Sequence, residues 1–194
     1  SPYSLFFYYK YHGQFKYFSY LCYMKRKLIT ILLTILMLNV YSQTPLESKL
    51  FQKINDYRVE NGLHILKWDD ETYKSTVVHT EYMVKHSELC HREDSETPKF
   101  THRIRLFVDT NSWDFSIVGA ENVSRVSFDD IEYSIEDISN RIISGWKSSP
   151  PHNDALLSKL TNVGAVSCGD GTKLKNGSIV KRKYSTFVLW IKPI

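Results

Sequence analysis

Apolar residues recur at helical spacing in three stretches of the chain. Leu46, Leu50, Ile54 and Tyr57 fall on one face of a helix. Thr44-Pro45-Leu46-Glu47 starts it: a threonine cap, a proline at the first helical position, and a glutamate placed to return the capping-box hydrogen bond. Gly62 supplies the left-handed residue that ends it. After an apolar link through Leu66 and Trp68, Asp69 or Asp70 caps a second helix whose stripe is Tyr73, Val77, Thr80 and Val84, ending near Ser87. A third helix is predicted from Ser127 or Asp129, because Ile131, Ile135, Ile138, Ile142 and Trp146 line one face until Pro150-Pro151 stops it. A short helix over Asp154 to Leu160 follows. The remainder reads as two strands, Asn162–Cys168 and Ile179–Ile191, joined through a glycine-rich region in which Asn176-Gly177 suits a hairpin turn. Residues 92–117 are polar and mixed, with one apolar patch at Ile104, Leu106 and Phe107, and read mostly as loop. Helices first and an antiparallel pair last predict an α+β domain in which helices cover a sheet.

The beginning of the chain follows different rules. Met24, Lys25-Arg26-Lys27, an apolar run from Leu28 to Val40 and then Tyr41-Ser42-Gln43 stand in the order of a secretory signal peptide, Met24 to Ser42, with Gln43 as the expected mature N-terminus. The apolar run is short for a membrane span. Residues 1–23 are crowded with aromatics without helical or strand periodicity and are expected to lie outside the native protein. The expected organisation is therefore an upstream segment at 1–23, a signal peptide at 24–42 and one domain at 43–194.

That division changes the charge. The formal net charge is +4, but the leader carries five cations and no acid, so the mature domain is slightly negative. Nucleic-acid binding loses its support. Of three cysteines, Cys90 and Cys168 remain in the mature chain, a candidate disulfide in an oxidising compartment. Nothing in the sequence asks for more than a monomer.

Several segments carry chemistry in a recognisable order: Asn55-Asp56-Tyr57-Arg58, Leu66-Lys67-Trp68, His79 to Met83, Leu89-Cys90-His91, Ala120-Glu121-Asn122, Trp146-Lys147-Ser148-Ser149-Pro150-Pro151-His152 and Val163-Gly164. Taken together over residues 46–192 they resemble the CAP superfamily of cysteine-rich secretory, antigen 5 and pathogenesis-related 1 proteins, in its bacterial SCP-like form. The resemblance implies a three-layer α-β-α sandwich with a central, mainly antiparallel sheet. It also implies a cavity lined by two histidines and two acids, three of which carry over as His91, Glu121 and His152. At the fourth position Ser149 stands where eukaryotic members have a second glutamate. Asn122 adjoins the cavity.

Two imidazoles and a carboxylate are a reasonable donor set for a divalent cation, zinc first. A hydrogen-bonded polar cluster that organises the loops is the other reading. His91 could also be a surface histidine at a helix end, and Glu121 could cap a turn. His64, His79, His86 and His102 match no cavity position and are read as structural or solvated, and Trp68, Trp146 and Trp190 as core anchors. No G-x-S-x-G or H-E-x-x-H motif occurs. The expected function is a secreted, non-enzymatic module binding a small ligand, lipid, metal ion or surface partner, with a metal-dependent hydrolase using the same cavity as the alternative.

Overall fold

The structure is a computed structural model that describes residues 23–29, 42–108, 117–128 and 133–193. The chain divides into two units, Ser1–Ser42 and Gln43–Ile194. In the first unit, residues 23–29 are helical and exposed. The apolar run from 30 to 40 and Ile131 lie outside the described residues.

In the second unit, α1 spans Pro45–Glu60, and the capping box forms as its sequence requires: the Glu47 amide donates to Thr44 Oγ1 and the Thr44 amide to Glu47 Oε2. Gly62 follows with φ +74° and an open space around it. The two-residue strand β1, Lys67–Trp68, leads into α2, Asp70–His86, capped by Asp69 and closed by Ser87 in the left-handed region. The inward face of α2 is rotated from the predicted stripe. Thr72, Thr76, His79 and Met83 are buried, whereas Val77 and Val84 are only half-buried. A short α3, Phe100–Ile104, sits within the stretch read as loop.

The largest departure from the sequence reading is β2, Gly119–Phe128, which occupies a stretch given no element and overlaps the start predicted for the third helix. Its Val123 and Phe128 are buried while Ser124, Arg125, Val126 and Ser127 are not, so no clean alternation announces a strand. Helix α4, Ile135–Ser148, begins only at the Ser134 cap, where Ser134 and Asp137 form a second capping box. Consequently Ile135 is 44% exposed, while Ile142 and Trp146 are 1% exposed and carry the inward face. Helix α5, Pro150–Leu156, starts at the two prolines, which occupy its first positions. The same dipeptide ends one helix and starts the next.

The remaining strands are β3, Val163–Lys175, and β4, Ser178–Trp190, joined by Asn176 (φ 51°) and Gly177 (φ 80°), the signature of a tight mirror-image turn. The sheet order is β1-β3-β4-β2; only the β1–β3 pair is parallel. Helices cover both faces. On one side α1, α4 and α5 bury Leu50, Ile54, Trp146, Val166 and Phe187 in the main apolar core. On the other, α2 lies over β3 and β4 and bonds the sheet through hydroxyls: Thr80 Oγ1 is 2.6 Å from Ser167 Oγ and 2.8 Å from Thr186 Oγ1, and Trp190 Nε1 donates to Thr72 Oγ1 at 2.8 Å. The α+β, three-layer arrangement predicted from the sequence is present.

Candidate functional site

Strand β2 lies at the edge of the sheet, and adjacent residues on a strand point to opposite faces. Glu121, opposite Val188, is directed to the α2 side. Asn122, opposite Phe187, is directed to the α5 side and donates its Nδ2 to the His152 carbonyl at 2.9 Å. One dipeptide thus holds both helical layers at this edge.

On the α2 side, His79 anchors the loop that carries His91. Its Nδ1 is 2.7 Å from Glu93 Oε1, and its Nε2 is 2.8 Å from the Cys90 carbonyl. The ring thus bridges a buried carboxylate and a backbone carbonyl. Arg103 from α3 bridges the carboxylates: Nη1 lies 3.2 Å from Glu93 Oε1, and Nη2 is paired with Glu121 Oε2. All four of these side chains are buried. The other oxygen of Glu121 is 3.2 Å from His91 Nδ1, and the His91 side chain is 54% exposed against 3% for Glu121. The His152 ring stands across the sheet edge with its centroid 6.1 Å from that of His91. Burial first, and the neighbouring His91 second, hold the His152 imidazole below its ordinary pKa. An open cavity of about 500 Å³ adjoins the cluster, lined by His91, Arg92, Lys99, Phe100, Thr101 and Glu121.

The structure therefore brings His91, Glu121 and His152 to one place, with Asn122 as a support between layers. Ser149 is the hinge residue between α4 and α5, and its side chain makes no capping bond. Its carbonyl accepts from the Asn153 amide at 2.8 Å, a backbone role. The sequence reading missed His79, Glu93 and Arg103. A polar residue between Thr76 and Met83 on the inward face of α2 was the available signal for His79. Nothing local marks Glu93 or Arg103, whose meeting depends on how the 88–99 segment folds back.

The zinc expectation meets a difficulty in this geometry. The donor types suit zinc, but one Glu121 oxygen is paired with Arg103 and the other faces His91. Among the described residues no group of three or more His, Cys, Asp or Glu side chains is arranged to hold a metal ion. As placed, the three residues do not fit a cation, because Arg103 already neutralises the only carboxylate among them.

The candidate disulfide is not formed: Cys90 and Cys168 are both free thiols. Cys90 packs with Met83, Val123 and Tyr184 on the α2 side, whereas Cys168 packs with the core on the α1 side. The sheet lies between them. Burial pushes the Cys168 thiol up to about 12 and also raises that of Cys90.

Comparison with known proteins agrees with this architecture. An SCP-domain extracellular protein from Bacillus anthracis superposes with a TM-score of 0.51 at 18% identity, over 76% of this chain and 40% of that one. An outer surface protein from Borrelia burgdorferi gives a TM-score of 0.51 at 18% identity, over 78% of this chain and 96% of that one. The chain spans well under half the length of the Bacillus protein. At such identities these likenesses speak for the fold alone. No curated protein matches at the level of sequence. The profile of the cysteine-rich secretory protein family, CAP, matches residues 51–188, and the chain belongs to that family.

Proposed function

We propose that the protein is an exported CAP-domain module that recognises a small anionic ligand without transforming it, at the cleft beside His91, Glu121 and His152. One observation carries the reading: the charge of Glu121 is met from inside by Arg103, so the outward charges of the adjoining cavity belong to Arg92, Lys99 and, when protonated, His91. Phe100 gives that cavity an apolar wall. A carboxylate or phosphate on a short apolar body suits this lining. Export rests on the signal-peptide order of residues 24–42 and is supported by the extracellular description of the Bacillus relative. Among the described residues no helix is long and apolar enough to cross a membrane.

Calorimetric titration with octanoate, and separately with zinc chloride, tests the reading. Octanoate is expected to bind the wild type and His86→Ala alike, and to bind Lys99→Ala and His91→Ala at least several-fold more weakly. Equal binding by all four proteins, or none by the wild type, refutes it. Zinc is expected not to bind stoichiometrically at neutral pH. Tight uptake that His152→Ala abolishes and His86→Ala preserves would instead establish the metal site. Mass analysis of the exported protein is expected to find Gln43 at its N-terminus; retention of residues 28–40 would replace release with anchoring.

A further inference from the structure

The outer half of the β3–β4 hairpin lies away from the cleft and has a composition of its own. Residues 171–183 hold Lys173, Lys175, Lys181, Arg182 and Lys183 and no acid, in a mature domain that is slightly negative as a whole. Lys183 is paired with Asp170 at 2.5 Å. Lys173, Lys175 and Lys181 have no ion-pair partner among the described residues. Among the described residues, pairing with β2 extends to Lys181, and β1 meets β3 only at Val163 and Gly164. Beyond those points the described residues form a two-stranded ribbon, a form that is marginally stable in water without a surface to pack on.

The ribbon ends in an apolar pair. Leu174 and Ile179 are cross-strand partners on one face, 68% and 65% exposed, one row from the turn at Asn176-Gly177. Lys173 and Lys175 point to the opposite face on either side of Leu174, and Lys181 follows Thr172 in the next row. Two branched aliphatic side chains at the tip, with lysines on the opposite face and at the neck of the ribbon, match a lipid interface. The aliphatic groups enter the headgroup region, while the ammonium groups reach the phosphates.

We infer that the β3–β4 ribbon is a docking device for an anionic lipid bilayer, with Leu174 and Ile179 as the inserting residues and Lys173, Lys175 and Lys181 as the charge contacts. This is a separate surface from the cleft and does not depend on what the cleft binds. The electrostatic part weakens with salt, and the apolar part does not.

The test uses the full chain with vesicles of phosphatidylcholine alone or mixed with phosphatidylglycerol, read by co-sedimentation and by amide hydrogen exchange. Wild type is expected to sediment with the anionic vesicles at physiological salt, with exchange slowed over residues 172–181. At about 1 kcal/mol per cation near such a surface, the triple variant Lys173→Glu/Lys175→Glu/Lys181→Glu should lose roughly a hundredfold in affinity or more. Leu174→Ser/Ile179→Ser should weaken binding several-fold and make what remains strongly salt-sensitive. Because every substituted side chain is exposed, the variants should fold. Bound protein with unchanged exchange over 172–181 would place the contact elsewhere and overturn the inference. Equal sedimentation with both vesicle types, or no sedimentation, would also overturn it. Loss in the lysine variant with no effect of the serine variant would mean that the ribbon binds polyanions and not a bilayer.

Discussion

Glu47 and Glu121 both sit buried at opposite sides of one sheet, each tying a helix layer to it, and their partners differ in kind. Glu47 accepts from the Thr44 amide at 2.7 Å, the Tyr73 hydroxyl at 3.0 Å and the Cys168 amide at 2.8 Å, all neutral donors. Its carboxylate stands in for the strand that β3 lacks beyond Gly164, satisfying an amide on the open edge. Glu121 faces Arg103 and His91, with His79 Nε2 at 3.8 Å. Neutral donors make a staple that ties helix, strand and cap together around one carboxylate. A buried guanidinium on one carboxylate oxygen and an exposed imidazole on the other make a group whose charge is balanced inside while one neighbour remains in reach of solvent. Burial alone does not separate a structural carboxylate from a functional one; the identity of its partners does.

The comparison is sharpest when the partners are removed. Arg103→Met would leave Glu93 and Glu121 buried without the guanidinium that pairs with both, and should cost about 3–5 kcal/mol of stability by urea melt. Glu47→Gln keeps one acceptor but turns a donor toward amides or the Tyr73 hydroxyl, and should cost less, about 1–3 kcal/mol. A larger loss for Glu47→Gln than for Arg103→Met would show that the neutral staple, not the charged cluster, dominates the stability of the sheet edges.

The staple was legible in the sequence and the cluster only in part, for a physical reason. Thr44 and Glu47 are three residues apart, so a capping box announces itself, although the bond that the Cys168 amide donates to Glu47 does not. His91, Glu121 and His152 came from the order of motifs, and the fold brings them together. Glu93 and Arg103 came from neither, because their pairing is set by tertiary contact between loop and short helix. The same limit explains β2, whose polar edge residues lack alternation, and the helical start placed too early at Ser127 or Asp129. There the spacing of Ile131 and Ile135 suggested a face that Ile135, exposed in the structure, does not share. The stripe was right from Ile138 onward, where burial against the sheet enforces the helical period.

The smallest expected difference is the most discriminating, because it removes one donor from each carboxylate and leaves the rest in place. Tyr73→Phe deletes the hydroxyl that donates to Glu47. Burial, with Glu47 beside it, raises the pKa of that hydroxyl, so it stays protonated and donating across the working range. The loss leaves a buried carboxylate oxygen with one donor fewer, and should cost about 1–2 kcal/mol. His91→Ala also deletes one donor, from Glu121, but that side chain is largely solvated and Arg103 still neutralises the carboxylate. Its cost should stay below about 0.5 kcal/mol. Paired urea melts of the two variants at neutral pH decide the matter. Tyr73→Phe should shift the midpoint clearly and His91→Ala hardly at all, while His91→Ala alone should weaken octanoate binding. If His91→Ala destabilises as much as Tyr73→Phe, His91 is a second staple, and the contrast between the two edges fails at the residue on which the functional reading depends.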